Sequence, residues 1–352
     1  MSAALWQPIQ VGDIKLPHRV VMAPLTRSRA NSEGVPTELN AEYYAQRASM
    51  ALIISEGTQP SMQGQGYLLT PGIHTLAQIS GWRKVTDAVR AAGGRMFLQI
   101  MHAGRISHPE NTPDHHQPVA PSVVRPNVQM VTPSGMRDIP EPRALRTEEI
   151  ADIVDDFRRA ARNARDAGAD GVEIHGANGY LIQQFLSTNT NHRTDQYGGS
   201  VENRIRFAVE VATAIAQEIG PGRTGIRISP ANTFNDISET DAPQVYEALV
   251  RELAKLNLAY LHVLHTGDEA LVKKLRELWP GVFMLNRPGA DIASREADIE
   301  RGSADLIAIG AMSIANPDLV ERIKRGAPLN VPDPSTFYGG GAKGYTDYPA
   351  LD

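Results

Sequence analysis

The stretch TEEIADIVDDFRRAARNARDAGADGVEIHG, residues 147–176, carries a helix and the strand that follows it. Ile150, Ile153, Val154, Phe157, Ala160, Ala161 and Ala164 recur at the 3.6-residue spacing of one helix face. Glu148 and Glu149 occupy the first turn, where the helix dipole favours anions, and Gly168 stands where a C-terminal cap belongs. Residues 171–175 then form a short run without polar alternation, the pattern of a parallel strand buried on both faces. Runs of the same kind recur outward from it, at 19–22, 51–55 and 95–101 upstream and at 225–229, 260–264, 282–286 and 305–309 downstream. Helical segments lie between them. One begins after Ser200, carries Ile205, Ala208, Val209, Ala212 and Ile215, and stops at Gly220-Pro221. Another holds Leu271, Val272, Leu275, Leu278 and Trp279 and is stopped by Pro280-Gly281. This succession predicts an α/β fold, a single (β/α)₈ TIM barrel over residues 1–352, with an open doubly wound sheet as the alternative.

One stretch breaks the rhythm. Residues 102–146 are rich in proline (Pro109, Pro113, Pro118, Pro121, Pro126, Pro133, Pro140 and Pro142) and show no period. A segment this long is either disordered or functional. It follows the third strand, at the rim where barrel active sites lie, so it reads as a lid. Elsewhere the composition is that of an ordinary soluble enzyme, 41% hydrophobic and 21% charged. A net charge of −5 points to no nucleic-acid partner, and the basic patch at 322–325 reads as the solvated end of a helix. With no cysteine, disulfides, thiolate nucleophiles, iron–sulfur clusters and Cys-based zinc sites are excluded. Residues 1–10 lack the basic-then-apolar pattern of a signal peptide, and no apolar run reaches membrane-spanning length. The expectation is a cytoplasmic monomer or homodimer without a membrane partner.

Barrel active sites are built at the C-terminal ends of the strands. There the first strand delivers Pro24, Leu25 and Thr26, and the second Glu56 and Gly57. The third carries Gln99 and ends in His102; the fourth ends in His175, followed by Asn178 and Tyr180. Arg227 lies in the fifth, Arg287 and Gly289 follow the seventh, and Gly310 follows the eighth. Gln99 could equally be a satisfied core glutamine, and Arg227 a buried arginine paired with Glu173, since unpaired burial of a cation is costly. His175 and Asn178 can donate side by side to an oxygen on which charge develops, with the Tyr180 phenol as a proton source. The histidines 102, 108, 115, 116 and 175 match no standard zinc spacing, and no metal is expected. A Rossmann fingerprint is missing too: the string at 64–69 lacks the third glycine. Barrels commonly hold a phosphate with the loops after strands seven and eight, where Arg287, Gly289 and Gly310 stand.

The segments RVVMAPLTRSRA (19–30), YYAQRAS (43–49), MFLQIMHAGRISHP (96–109), the run from Asp166 to Phe207 containing VEIHGANGYL, IANPDL (314–319) and FYGGGAKGYTDYP (337–349) together resemble the Old Yellow Enzyme family of FMN-dependent ene-reductases. The resemblance runs along essentially the whole chain and is most like its bacterial, threonine-bearing branch. It implies FMN as cofactor and NAD(P)H as transient reductant. It also implies electron-poor alkenes as substrates: hydride passes to the β-carbon of an α,β-unsaturated carbonyl or nitro compound and Tyr180 protonates the α-carbon. Pro24, Thr26, Gly57 and Gln99 match the family's isoalloxazine contacts, with Thr26 at the flavin O4, and Arg227 matches the arginine beside N1–C2. His175 and Asn178 match the pair that binds the substrate oxygen, and Tyr67 matches an aromatic lining the pocket.

The chain departs from the family pattern in three places. Ile309-Gly310-Ala311 stands where relatives usually read Phe-Gly-Arg, whose arginine grips the FMN phosphate; Arg287 is the expected replacement. Met101 stands where tryptophan is common, which softens the substrate pocket. The exit from strand six reads His265-Thr266-Gly267 in place of an acidic version. Rival readings are a reductase of nitrate esters or nitroaromatics at the same site, a flavin-binding protein with little turnover, and a metal-dependent aldolase on the same fold.

Overall fold

The computed structural model describes residues 3–351; Met1, Ser2 and Asp352, the outermost positions of the expected 1–352 barrel, lie outside the described residues. Eight parallel strands close into a barrel: β1 (Val20–Met22), β2 (Leu52–Ile54), β3 (Met96–Ile100), β4 (Gly171–Gly176), β5 (Thr224–Ile228), β6 (Tyr260–Leu264), β7 (Phe283–Asn286) and β8 (Leu306–Ile309). Neighbours in sequence are neighbours in the sheet, and β8 pairs back onto β1, so the closed alternative is the one adopted.

Helices α1 (Glu38–Ala45), α2 (Leu76–Ala91), α3 (Thr147–Asp166), α4 (Leu181–Leu186), α5 (Val201–Ile219), α6 (Ala242–Ala254), α7 (Glu269–Leu278) and α8 (Ile292–Glu300) lie between and around the strands. Two more, α9 (Ala311–Ala315) and α10 (Leu319–Arg325), follow β8. Local chemistry starts several of them. Thr75, Ser200, Asp268 and Asp291 accept a backbone N–H of the first turn of α2, α5, α7 and α8. Past α3, Gly168 takes the left-handed φ of +90° that its cap position demands. The α3 stripe is inside except at the half-buried Val154, with Ile150, Phe157, Ala160, Ala161 and Ala164 at 0% exposure.

The apolar material splits into two layers. One joins the outward faces of the strands to the helices; the other fills the barrel with Val21, Leu52, Ile54, Phe97, Met284 and Leu306. Val11 and Leu16, from an N-terminal hairpin of Ile9–Val11 with Ile14–Leu16, join that inner layer. The hairpin touches the loop entering β5 through Asp13 N–H to Gly222 O, 3.0 Å, and so lies at the N-terminal end of the barrel. The opposite end is left for chemistry.

Residues 102–146 are more ordered than their proline content predicts. They hold an antiparallel hairpin (Gln129–Thr132 with Gly135–Asp138) and a short pairing of Val119–Ala120 with Arg143–Ala144. The basic patch at 322–325 also differs from its expectation. Lys324 and Arg325 are solvated, but Arg322 is buried, ion-paired with Asp318 and bonded to the carbonyls of Pro328 and Pro349.

Candidate active site

Strand register sets the site. β4 and β5 place His175 opposite Arg227, and β5 and β6 place Arg227 opposite His262. One step lower, Glu173 faces Gln99 on β3. All are nearly sealed from water.

Glu173 organises the floor. Its carboxylate accepts from Gln99 Nε2 at 2.8 Å, Tyr260 Oη at 3.1 Å and His262 Nδ1 at 2.8 Å. A carboxylate can only accept, so His262 carries its proton on Nδ1 and leaves Nε2 bare, without a partner among the described residues. Gln99 thus has Glu173 as its partner, whereas Arg227 forms no ion pair with Glu173 within 4.0 Å.

Arg227 is 6% exposed, and its Nε has no hydrogen-bond partner among the described residues. A buried guanidinium in that condition carries a desolvation cost of several kcal/mol unless a ligand meets it. It lines a cavity of about 300 Å³ together with Pro24, Leu25, Gly289, Gly310 and Arg295. Two buried arginines in one cavity, neither within ion-pairing distance of a carboxylate among the described residues, fit a ligand that carries negative charge. FMN, with a phosphate at one end and an electron-accepting ring at the other, is such a ligand.

His175 and Asn178 present the donors. Ala177 N–H donates to His175 Nδ1 at 3.3 Å, so the neutral ring keeps its proton on Nε2. Burial and the neighbouring Arg227 hold the His175 pKa well below the usual histidine range, which keeps the ring neutral. Asn178 sits at a left-handed φ of +58°, a conformation asparagine tolerates, fixed by its N–H to Ser229 Oγ at 2.8 Å. Asn232 Nδ2 donates to Asn178 Oδ1 at 2.9 Å, so the Asn178 amide turns its N–H₂ away. His175 Nε2–H and Asn178 Nδ2–H are thus two donors without a partner among the described residues.

Beside them the Tyr180 ring meets His175 edge-on at 5.0 Å, and its hydroxyl lies 3.0 Å from the Tyr67 hydroxyl. Burial, and then Tyr67, push the Tyr180 phenol well above its usual pKa, so it stays protonated across the physiological range. Met101, Met130, Ile139 and Tyr180 form one apolar cluster with Tyr67 against it. Met130 and Ile139 come from the insertion, which so packs against the Tyr180 wall. Gly57 allows the packing on the other side: a Cβ there would stand 2.6 Å from Met101 Sδ.

The loop holding Thr26 is anchored by its neighbours. Arg27 and Ser28 N–H groups donate to the buried Glu56 carboxylate at 3.0 and 3.1 Å, which gives Glu56 an architectural task. Arg27 and Arg29 also bind C-terminal carbonyls, including Phe337 O and Gly341 O, both at 3.0 Å. His102 is buried as well, its Nδ1 accepting from Gly104 N–H at 3.1 Å while Nε2 has no partner among the described residues. Among the described residues no three His, Asp or Glu side chains gather as a metal site would require.

Burial lowers the His102 pKa from 6.5 to about 3, with His116 adding to the effect. Below pH 6.5 the unfolded chain takes up a proton that the folded chain refuses until about pH 3. Stability is therefore lost as pH falls through that window, by about 1.4 kcal/mol per unit. A His102→Asn variant, which keeps an acceptor for Gly104 N–H, is expected to lose about 2 kcal/mol less than wild type between pH 7 and pH 5. Urea unfolding at the two pH values measures this; equal losses would assign the acid sensitivity elsewhere.

Arg287 is not where the sequence suggested. Its guanidinium is taken up by Asp298, through Nε at 2.6 Å, and by Glu269, so it is not the free cation expected at the cavity. The reason lies in α7 and α8, whose carboxylates flank it and could not be placed from a linear reading. Asn232, Asn235 and Ser229 escaped that reading for the same cause: each matters through a partner more than 50 positions away in sequence, and Arg295 escaped it because only the fold turns its side chain into the cavity that holds Arg227.

The family described as NADH:flavin oxidoreductase / NADH oxidase matches residues 4–330. A probable flavin mononucleotide-dependent alkene reductase of Leishmania infantum is 44% identical, covering 100% of both chains. Morphinone reductase in complex with tetrahydroNAD superposes with a TM-score of 0.96 at 46% identity, over 100% of this chain and 98% of that one. The old yellow enzyme homologue from Zymomonas mobilis does so with 0.96 at 40% identity, over 99% of each.

Proposed function

This chain belongs to the NADH:flavin oxidoreductase / NADH oxidase family, the Old Yellow Enzyme family its motifs resemble, and on that basis we propose how it acts. It is an FMN-dependent oxidoreductase that couples NAD(P)H to the reduction of activated alkenes. When bound, FMN supplies the hydride. Pro24, Leu25, Thr26, Gly57, Gln99, His175, Arg227, Gly289 and Gly310 would hold it, Arg227 opposite the charge of the reduced ring and the two glycines in the loops after β7 and β8.

The protein's own chemistry falls to three side chains. His175 Nε2–H and Asn178 Nδ2–H receive the carbonyl or nitro oxygen of the substrate and stabilise the charge that grows on it as hydride arrives at the β-carbon. Tyr180, held protonated by burial, gives its proton to the α-carbon, with Tyr67 in line behind it. Tyr67 and Met101 shape the substrate pocket, and residues 102–146 act as its lid through Met130 and Ile139, within one barrel domain. The pair of partnerless N–H donors next to a protonated phenol is the observation that carries this reading. No helix among the described residues is long and apolar enough to cross a membrane. A cytoplasmic monomer or homodimer acting on small molecules completes the proposal, and the net charge of −5 favours no nucleic acid.

The visible spectrum of the purified protein tests it. A yellow flavin band is expected, bleached by anaerobic NADPH and restored by 2-cyclohexenone. A colourless protein that gains no band on incubation with FMN overturns the reading.

A further inference from the structure

Arg295 lies on α8, the helix after β7, and is 4% exposed. Its guanidinium reaches back under the strand ends. Nη1 donates to Ala308 O at 3.1 Å and Nε to Ala290 O at 3.3 Å, while Nη2 donates to Arg287 O. Its hydrogen-bond partners are neutral carbonyls, and no carboxylate oxygen of the described residues lies within 4.0 Å. Asp298, the nearest candidate counter-ion on the same helix, is occupied by Arg287 and Arg301.

A buried cation that satisfies only part of its five donors, and has no anion, is an incomplete structure. The carbonyls hold the guanidinium in place without neutralising it. Arg295 lines the same cavity as Arg227, alongside Gly289, Gly310 and Ala311 of the loops after β7 and β8, the region where barrels of this kind bind phosphate. Ala311 offers no charge there, and Arg287 is spent on two carboxylates.

We infer that Arg295 is the cation that binds the phosphate of FMN, an office that the sequence alone assigned to Arg287. The inference rests on the proposed function and names which residue anchors the terminal phosphate. Its prediction concerns affinity and not turnover, because riboflavin is FMN without that phosphate.

The full-length chain, stripped of flavin, is titrated with FMN and with riboflavin, followed by quenching of flavin fluorescence. Wild type should prefer FMN strongly. Arg295→Met should lower FMN affinity about 30- to 100-fold, the range expected for a lost charge-assisted contact, and leave riboflavin affinity within a few-fold. Riboflavin binding thus doubles as the folding control. Arg295→Lys, which keeps the charge and is the safer substitution for folding, should lose about 3- to 10-fold because a point charge replaces the planar fork. Ala311→Arg added to Arg295→Met should restore the preference, since it places a cation in the same cavity. An unchanged FMN-over-riboflavin ratio in a folded Arg295 variant overturns the inference, as does an equal fall for both flavins. A wild-type chain that binds neither flavin overturns the proposed function together with it.

Discussion

Replacing His175 by leucine and Asn178 by glycine together is expected to lower kcat/KM for 2-cyclohexenone about 10³- to 10⁴-fold, since one preorganised donor to a developing oxyanion is worth roughly 10²–10³. The two donors share one oxygen, so their losses combine less than multiplicatively. Glycine is the informative replacement at 178 because it keeps the φ of +58° at no steric cost and the N–H bond to Ser229. What disappears is then the amide alone. The electronic demand separates the two half-reactions. Negative charge grows on the substrate oxygen during enone reduction, but none grows on NADPH as it gives up hydride. Stopped-flow measurement should therefore find the limiting rate of reduction by NADPH changed far less than that of reoxidation by the enone. An equal fall in both would make the pair a positioning device and sink the oxyanion role. Because His175 is held neutral well below its ordinary pKa, the enone rate should also show no inflection from this ring near pH 6.5.

The second large effect concerns folding. Glu173→Leu is expected to cost about 3–5 kcal/mol of stability, the range found when one member of a buried polar network is removed. Gln99, Tyr260 and His262 all donate to this one carboxylate, and each is at most 2% exposed, so water cannot replace the lost acceptor. Glu173→Gln should cost only about 1–2 kcal/mol. A glutamine oxygen in the Oε1 position still accepts from Gln99. An N–H₂ in the Oε2 position can donate to the Tyr260 hydroxyl, and to His262 if the imidazole moves its proton to Nε2, which has no partner among the described residues. Urea unfolding of the three proteins ranks them directly; a leucine variant as stable as the glutamine one would show that the network does not hold the floor of the barrel. The loss should reach the site too, since His175 stands two residues beyond Glu173 on the same face of β4.

The barrel was legible because its strands are buried on both faces. That burial writes each as an unbroken apolar run, and all eight runs fall within about one residue of the strands observed. Polar residues at the C-terminal ends of those runs were equally legible, since an inward polar side chain interrupts the pattern; Gln99, His175 and Arg227 were found in this way. The hairpin in 102–146 was not, because prolines and short strands hide a period-two signal that spans only four residues a side.

Sequence by itself thus determined the eight alternating strand–helix units and which polar residues stand at the strand ends, His175, Asn178 and Tyr180 among them, because those follow from local periodicity and from residues a few positions apart, while the pairing of β8 with β1 decided that the sheet closes. Tertiary structure alone decided which nitrogen of His175 keeps its proton, which way the Asn178 amide turns, and that Tyr67 meets Tyr180 from 113 positions away. It also decided that Arg287 is bound by carboxylates of two helices while Arg295 points into the cavity. Charge and hydrogen-bond partners are set by distance in space, and a guanidinium on a long flexible stem can turn either way until the chain around it has folded.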